Sequence, residues 1–180
     1  VGWDENIRGR PNRRRPRRAG RANSDAERRA LAKANAQPVH WAAASSRPGV
    51  AALTVDGGAR GRPPAAAIGY VLEGADGSRL AAHGETIGAA SAAVAEYRAV
   101  LAGLLCAVEH GIDRVDVRSD SRLLVAHLSG ELRPANPTLA ALGDEIAELM
   151  GRIGTVTVGW SPSAATGAAH ALVAEALGAL

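Results

Sequence analysis

The chain has 180 residues with 21 Lys+Arg and 18 Asp+Glu, a net charge of +3, and 47% hydrophobic residues, of which only 3% of the chain is aromatic and none is Phe. That is room for one domain of roughly 100–200 residues plus a tail, with a core built from Leu, Val, Ile and closely approaching Ala and Gly. One cysteine, Cys106, excludes an internal disulfide framework and a cysteine-based zinc site, and no apolar run is long enough to cross a bilayer.

Charge is divided unevenly. Residues 1–48 hold 12 basic and 4 acidic side chains (+8), and residues 49–180 hold 9 and 14 (−5). A basic arm precedes an acidic body that needs cations. Within the arm, Arg13, Arg14, Arg15, Arg17 and Arg18 crowd around Pro16 without apolar periodicity. Such a segment repels itself, so 1–48 reads as a largely disordered, phosphate-binding extension. Ser24 and Glu27 form a capping-box pattern, and a short helix over 24–37 is expected. The N-terminus lacks the apolar stretch of a secretory signal, so a cytoplasmic location is expected, although an Arg-rich, acid-poor start also fits a transit peptide.

From residue 49 the elements alternate. Val50–Val55 reads as a strand stopped by a turn at Asp56-Gly57-Gly58. Two further strands, 66–72 and 79–87, are joined by a hairpin containing Gly74, Asp76 and Gly77. Helical spacing over 91–110 places Val94, Tyr97, Leu101, Leu104 or Leu105, and Val108 on one stripe, closed by Gly111. Strand 114–118, helix 121–128, helix 138–152, strand 155–160 and helix 164–180 complete the order βββαβααβα. Three antiparallel strands followed by helical crossovers predict an α/β domain over 49–180, with a mixed five-stranded sheet and helices on its faces.

Three carboxylates fall at informative places. Asp56 ends the first strand, Glu96 lies in the first turns of the long helix, and Asp120 ends the fourth strand. If the first and fourth strands are neighbours, Asp56 and Asp120 sit side by side with Glu96 above them. Carboxylates so clustered repel unless a cation intervenes, and hard oxygen donors favour Mg2+ or Mn2+. Singly, each has a plainer reading: a turn residue, an exposed helix residue and a helix N-cap.

The segments Asp56-Gly57-Gly58-Ala59-Arg60-Gly61, Ala95-Glu96-Tyr97-Arg98-Ala99 and Ser119-Asp120-Ser121 resemble the three central motifs of type I ribonuclease H, in its compact bacterial and archaeal branch. The resemblance covers roughly residues 50–178. It implies a ribonuclease H-like fold and cleavage of the RNA strand of RNA–DNA hybrids with two metal ions, Asp56 bridging both and Glu96 and Asp120 holding one each. Hybrid recognition would use minor-groove shape and 2′-hydroxyls. The resemblance places substrate contacts at Gly57, Gly58, Ala59, Arg60 and Ala93, with Asn136 nearest to a loop residue that assists product release. Two departures stand out. His170 occupies the place of a fourth carboxylate, which implies a catalytic and metal-ligand position with a preference for Mn2+. Ala92-Ala93 replace an Asn pair that touches substrate in the family. A monomer is expected, with RNA–DNA hybrid or duplex RNA as partner and no membrane. The alternatives are a non-catalytic or weakly active nucleic-acid-binding module, and a nuclease for double-stranded RNA or another structured polynucleotide.

Overall fold

The structure is a computed structural model and describes residues 49–179. The arm and the helix expected over 24–37 lie outside the described residues.

Strands β1 (Ala51–Arg60), β2 (Ala65–Glu73) and β3 (Arg79–Ala89) form the antiparallel meander. The β2–β3 hairpin closes as expected, with Gly77 N–H donating to the Gly74 carbonyl at 2.9 Å and the Asp76 carboxylate accepting from Ser78. Helix α1 (Ala92–Glu109) follows, capped by the Ser91 hydroxyl, then β4 (Arg114–Ser119), α2 (Arg122–Leu128), α3 (Pro137–Ile153), β5 (Thr155–Trp160) and α4 (Ser163–Gly178). The sheet order is β3-β2-β1-β4-β5, with β4 parallel to both β1 and β5. The order of elements and the mixed five-stranded sheet are those expected from the sequence.

Alternation along the strands decides the layers. Leu53, Val55, Ile68, Leu72, Val115 and Val117 face α1 and α3, where Tyr97, Val100, Leu104, Ile146 and Leu149 complete the main core. Of the two candidates for the α1 stripe, Leu104 is buried and Leu105 is 45% exposed. The opposite face of the sheet carries Asp56, and α4 covers it over β1, β2 and β3 through Val173 and Leu177.

One expected boundary is corrected. Asp56-Gly57-Gly58 is not a turn: β1 runs on to Arg60 and the turn follows at 61–64. The glycines answer to packing instead. A Cβ on Gly57 would lie 2.2 Å from Glu96 N, and one on Gly58 would lie 3.0 Å from Val173.

Candidate metal and nucleic-acid site

Strand pairing brings the first two carboxylates together. The β1–β4 register pairs Thr54 with Arg118, and carried on two residues it sets Asp56 beside Asp120. Glu96 arrives from above because Gly57 lets the first turns of α1 rest directly on β1. The same device seats α4. Asp56, Gly69 and Gly84 are cross-strand neighbours on β1, β2 and β3. A Cβ on Gly69 would stand 2.5 Å from the Ala169 carbonyl oxygen, and one on Gly84 would stand 2.8 Å from that of Leu172. Backbone therefore meets backbone, and the residue after Ala169 is delivered to the site: His170 Nδ1 lies 2.9 Å from Asp56 Oδ2.

Each carboxylate has a donor. The Gly57 N–H donates to Asp56 Oδ1 at 2.8 Å, the Ser121 hydroxyl to Glu96 Oε2 at 2.7 Å, and the Ser163 hydroxyl to Asp120 Oδ2 at 2.7 Å. Asp116, on the same face, is satisfied by Arg118 at 3.0 Å and Thr157 at 2.8 Å. As these side chains stand, no three His, Cys, Asp or Glu among the described residues form a group able to hold a metal ion. The electrostatics nevertheless link Glu96 to the other two carboxylates. Burial pushes the Glu96 carboxyl up to about 7, the charges of Asp56 and Asp120 push the same way, and the Ser121 hydrogen bond opposes them. Three hard oxygen donors, of which Glu96 is raised toward its protonated form by burial first and then by the other two carboxylates, fit a hard divalent cation in their chemistry.

The remaining residues named from sequence are occupied structurally. Gly57 and Gly58 are the contact points just described, and Ala59 and Ala93 pack against the core. The Arg60 guanidinium donates to the Leu177 carbonyl at 2.6 Å, tying the end of β1 to the last turn of α4. Asn136 is the N-cap of α3, accepting from Thr138 N–H at 2.9 Å. His127 is half-buried, its Nδ1 2.5 Å from the Tyr97 hydroxyl. Sequence reasoning missed Ser163 and Trp160. The Ser163 hydroxyl reaches Asp120 as above, and the Trp160 indole N–H donates to the Asp120 carbonyl at 3.0 Å. Neither has a local signature, because both partners are some forty residues away. A cavity of about 440 Å³ lies between α1, α2 and α3, with Tyr97, His127 and Arg133 in its lining, and includes none of the three carboxylates.

The comparisons with known proteins agree with this fold. A family model described as Reverse transcriptase-like matches residues 54–176. Ribonuclease HI of Halobacterium salinarum is 37% identical over 122 residues, which are 68% of this chain and 61% of that protein. The bifunctional protein Rv2228c of Mycobacterium tuberculosis is 35% identical over 128 residues, which are 71% of this chain and 35% of that protein. The chain thus spans less than two thirds of either relative. Among solved structures, RNase H1 of Halobacterium salinarum superposes with a TM-score of 0.70 at 35% identity, covering 73% of this chain and all of that one. LC11-RNase H1, solved in complex with an RNA/DNA hybrid, gives 0.67 at 31% identity, covering 72% and 97%. With its sheet order, its three motifs and these relatives, the chain belongs to the ribonuclease H type I family.

Proposed function

We propose that the protein is a metal-dependent endoribonuclease that cleaves the RNA strand of RNA–DNA hybrids. The observation that carries this reading is the Glu96 carboxyl, buried and raised further by the charges of Asp56 and Asp120. The hybrid bound to a relative at 31% identity supports the substrate class. When bound, two divalent cations supply activation of the attacking water and neutralisation of charge at the scissile phosphate. Asp56, Glu96 and Asp120 would hold them, with His170 a fourth ligand position. Ser121 keeps the Glu96 carboxylate aimed from α1 toward β4, and the glycine contacts fix the backbones that carry the ligands. His170 offers a neutral imidazole nitrogen where a fourth carboxylate would serve Mg2+ better, which supports a preference for Mn2+.

A second reading, a module that binds hybrid without cutting it, is favoured by one observation: each carboxylate is taken by its own donor, and no three converge. One assay separates the two. Labelled RNA–DNA hybrid and duplex RNA are incubated with the protein and Mg2+ or Mn2+, beside Asp56→Asn. Cleavage of hybrid that disappears in the variant is expected. Binding without cleavage would establish the second reading, and preferential cleavage of duplex RNA would overturn the substrate.

A further inference from the structure

Asp120 sits just beyond the end of β4 and before the short helix α2, on a stretch bridged locally by the Ser121 N–H donating to Ser119 Oγ at 3.1 Å. A ligand there needs outside support, because placement errors of about half an ångström already weaken a metal site. The support from outside these elements comes from residues 160–163, where β5 passes into α4. The Trp160 indole N–H donates to the Asp120 main-chain carbonyl at 3.0 Å. The Ser161 N–H donates to the Ser119 carbonyl at 2.8 Å, and the Ser163 hydroxyl to Asp120 Oδ2 at 2.7 Å. The Arg122 guanidinium lies 4.0 Å above the Trp160 ring, a cation–π contact that holds the indole from the side of α2. Residues 119, 120 and 122 are thus each gripped by residues 160, 161 or 163.

We infer that Trp160 is a positioning residue for Asp120: its indole N–H, locked by Arg122, fixes the main chain from which the Asp120 carboxylate reaches the metal. The inference rests on the metal reading of the site proposed above. The indole touches neither substrate nor the reacting atoms. It acts by holding one peptide, and it does so from an edge strand that carries no carboxylate of the site. Partners that orient a ligand in this way commonly change metal affinity by about ten- to a hundredfold when removed. The Trp160 bond is to the backbone rather than to the ligand atom, so the lower end applies.

The test uses the full chain. Trp160→Phe keeps a ring beneath Arg122 and deletes the N–H donor. Benzothienylalanine at position 160 keeps the full shape and also lacks the donor, which covers the case in which Trp160→Phe does not fold. Mn2+ binding is measured by calorimetry, and hybrid cleavage is followed across Mn2+ concentrations. Both changes are expected to weaken Mn2+ binding by about tenfold, with the loss of cleavage greatest at low Mn2+ and narrowing as metal is raised. Unchanged Mn2+ affinity, or a loss of rate that added metal does not narrow, would overturn the inference. If the wild type binds no Mn2+, the metal reading fails by itself. Amide hydrogen exchange at Asp120 and Ser121 then decides the positioning role: faster exchange without the indole N–H supports it, and equal exchange overturns it.

Discussion

His170 Nδ1 lies 2.9 Å from Asp56 Oδ2 although the two residues are 114 positions apart. The contact joins α4 to β1 at Asp56, and the imidazole itself is 71% exposed while the Asp56 side chain is 13% exposed. An imidazole beside a carboxylate leaves the site one negative charge short of a four-carboxylate site.

Restoring that charge should change the metal preference. His170→Asp is expected to raise cleavage with Mg2+ and so reduce the Mn2+-to-Mg2+ activity ratio several-fold, because a carboxylate is the better donor for the harder ion. Without metal the same variant should melt earlier, since a new carboxylate would stand beside Asp56. Assays at matched metal concentrations and melting in chelator check both. A ratio unchanged by the substitution would remove His170 from the metal site.

The pH dependence of stability should report Glu96. Its carboxyl titrates near 7, against 4.5 for the unperturbed group, with burial the largest cause. The folded pKa is the higher one, so the folded protein keeps a proton that the unfolded chain releases between these values. The stabilisation is complete below about 4.5 and is lost as pH rises through about 7. The interval corresponds to on the order of 3 kcal/mol. In chelator, the melting temperature should fall between about pH 5 and about pH 8, and Glu96→Gln should flatten that fall. Saturating Mn2+ should remove most of the fall, because a cation lowers the cost of the ionised carboxylate. Parallel profiles for wild type and Glu96→Gln would disprove the assignment.

The glycine contacts make a pair of opposite predictions. Gly57→Ala places a Cβ 2.2 Å from Glu96 N, against backbone that cannot yield by rotation. A loss of about 1–3 kcal/mol is expected, with a drop in cleavage as Glu96 is lifted from Asp56. Gly167 lies inside α4 with nothing within 4 Å of an added Cβ. Gly167→Ala should therefore stabilise by up to about 1 kcal/mol with no loss of cleavage. Denaturant melts and cleavage rates measure both, and a neutral Gly57→Ala would show that α1 can ride higher on β1 at no cost.

The arm is expected to act through charge alone. Residues 1–48 carry 12 basic and 4 acidic side chains. Removing them should weaken hybrid binding and flatten its dependence on salt, since fewer counterions are released. Cleavage at saturating substrate should change little. A salt slope identical with and without the arm would show that it makes no phosphate contacts.

The sequence by itself determined the order of elements and which face of β1 and of β4 is buried, and it picked out the three carboxylates as candidates. These features are local. A two-residue or 3.6-residue period, a serine before a helix and an aspartate at a strand end are legible within a dozen residues. The tertiary structure decided what local pattern could not. Asp56-Gly57-Gly58 reads as a turn from its composition, yet it is strand, because the constraint on Gly57 comes from α1 and that on Gly58 from α4. Arg60, named a substrate contact by resemblance, also bonds to Leu177, 117 positions away, which no local pattern announces. Ser163 and Trp160 carry no signal of their own and become partners of Asp120 only when β5 lies beside β4. His170 was placed in the site by its motif, but its bond to Asp56 depends on α4 coming down onto Gly69 and Gly84. Close packing of backbone on backbone is a property of two segments at once, so neither segment's sequence contains it alone.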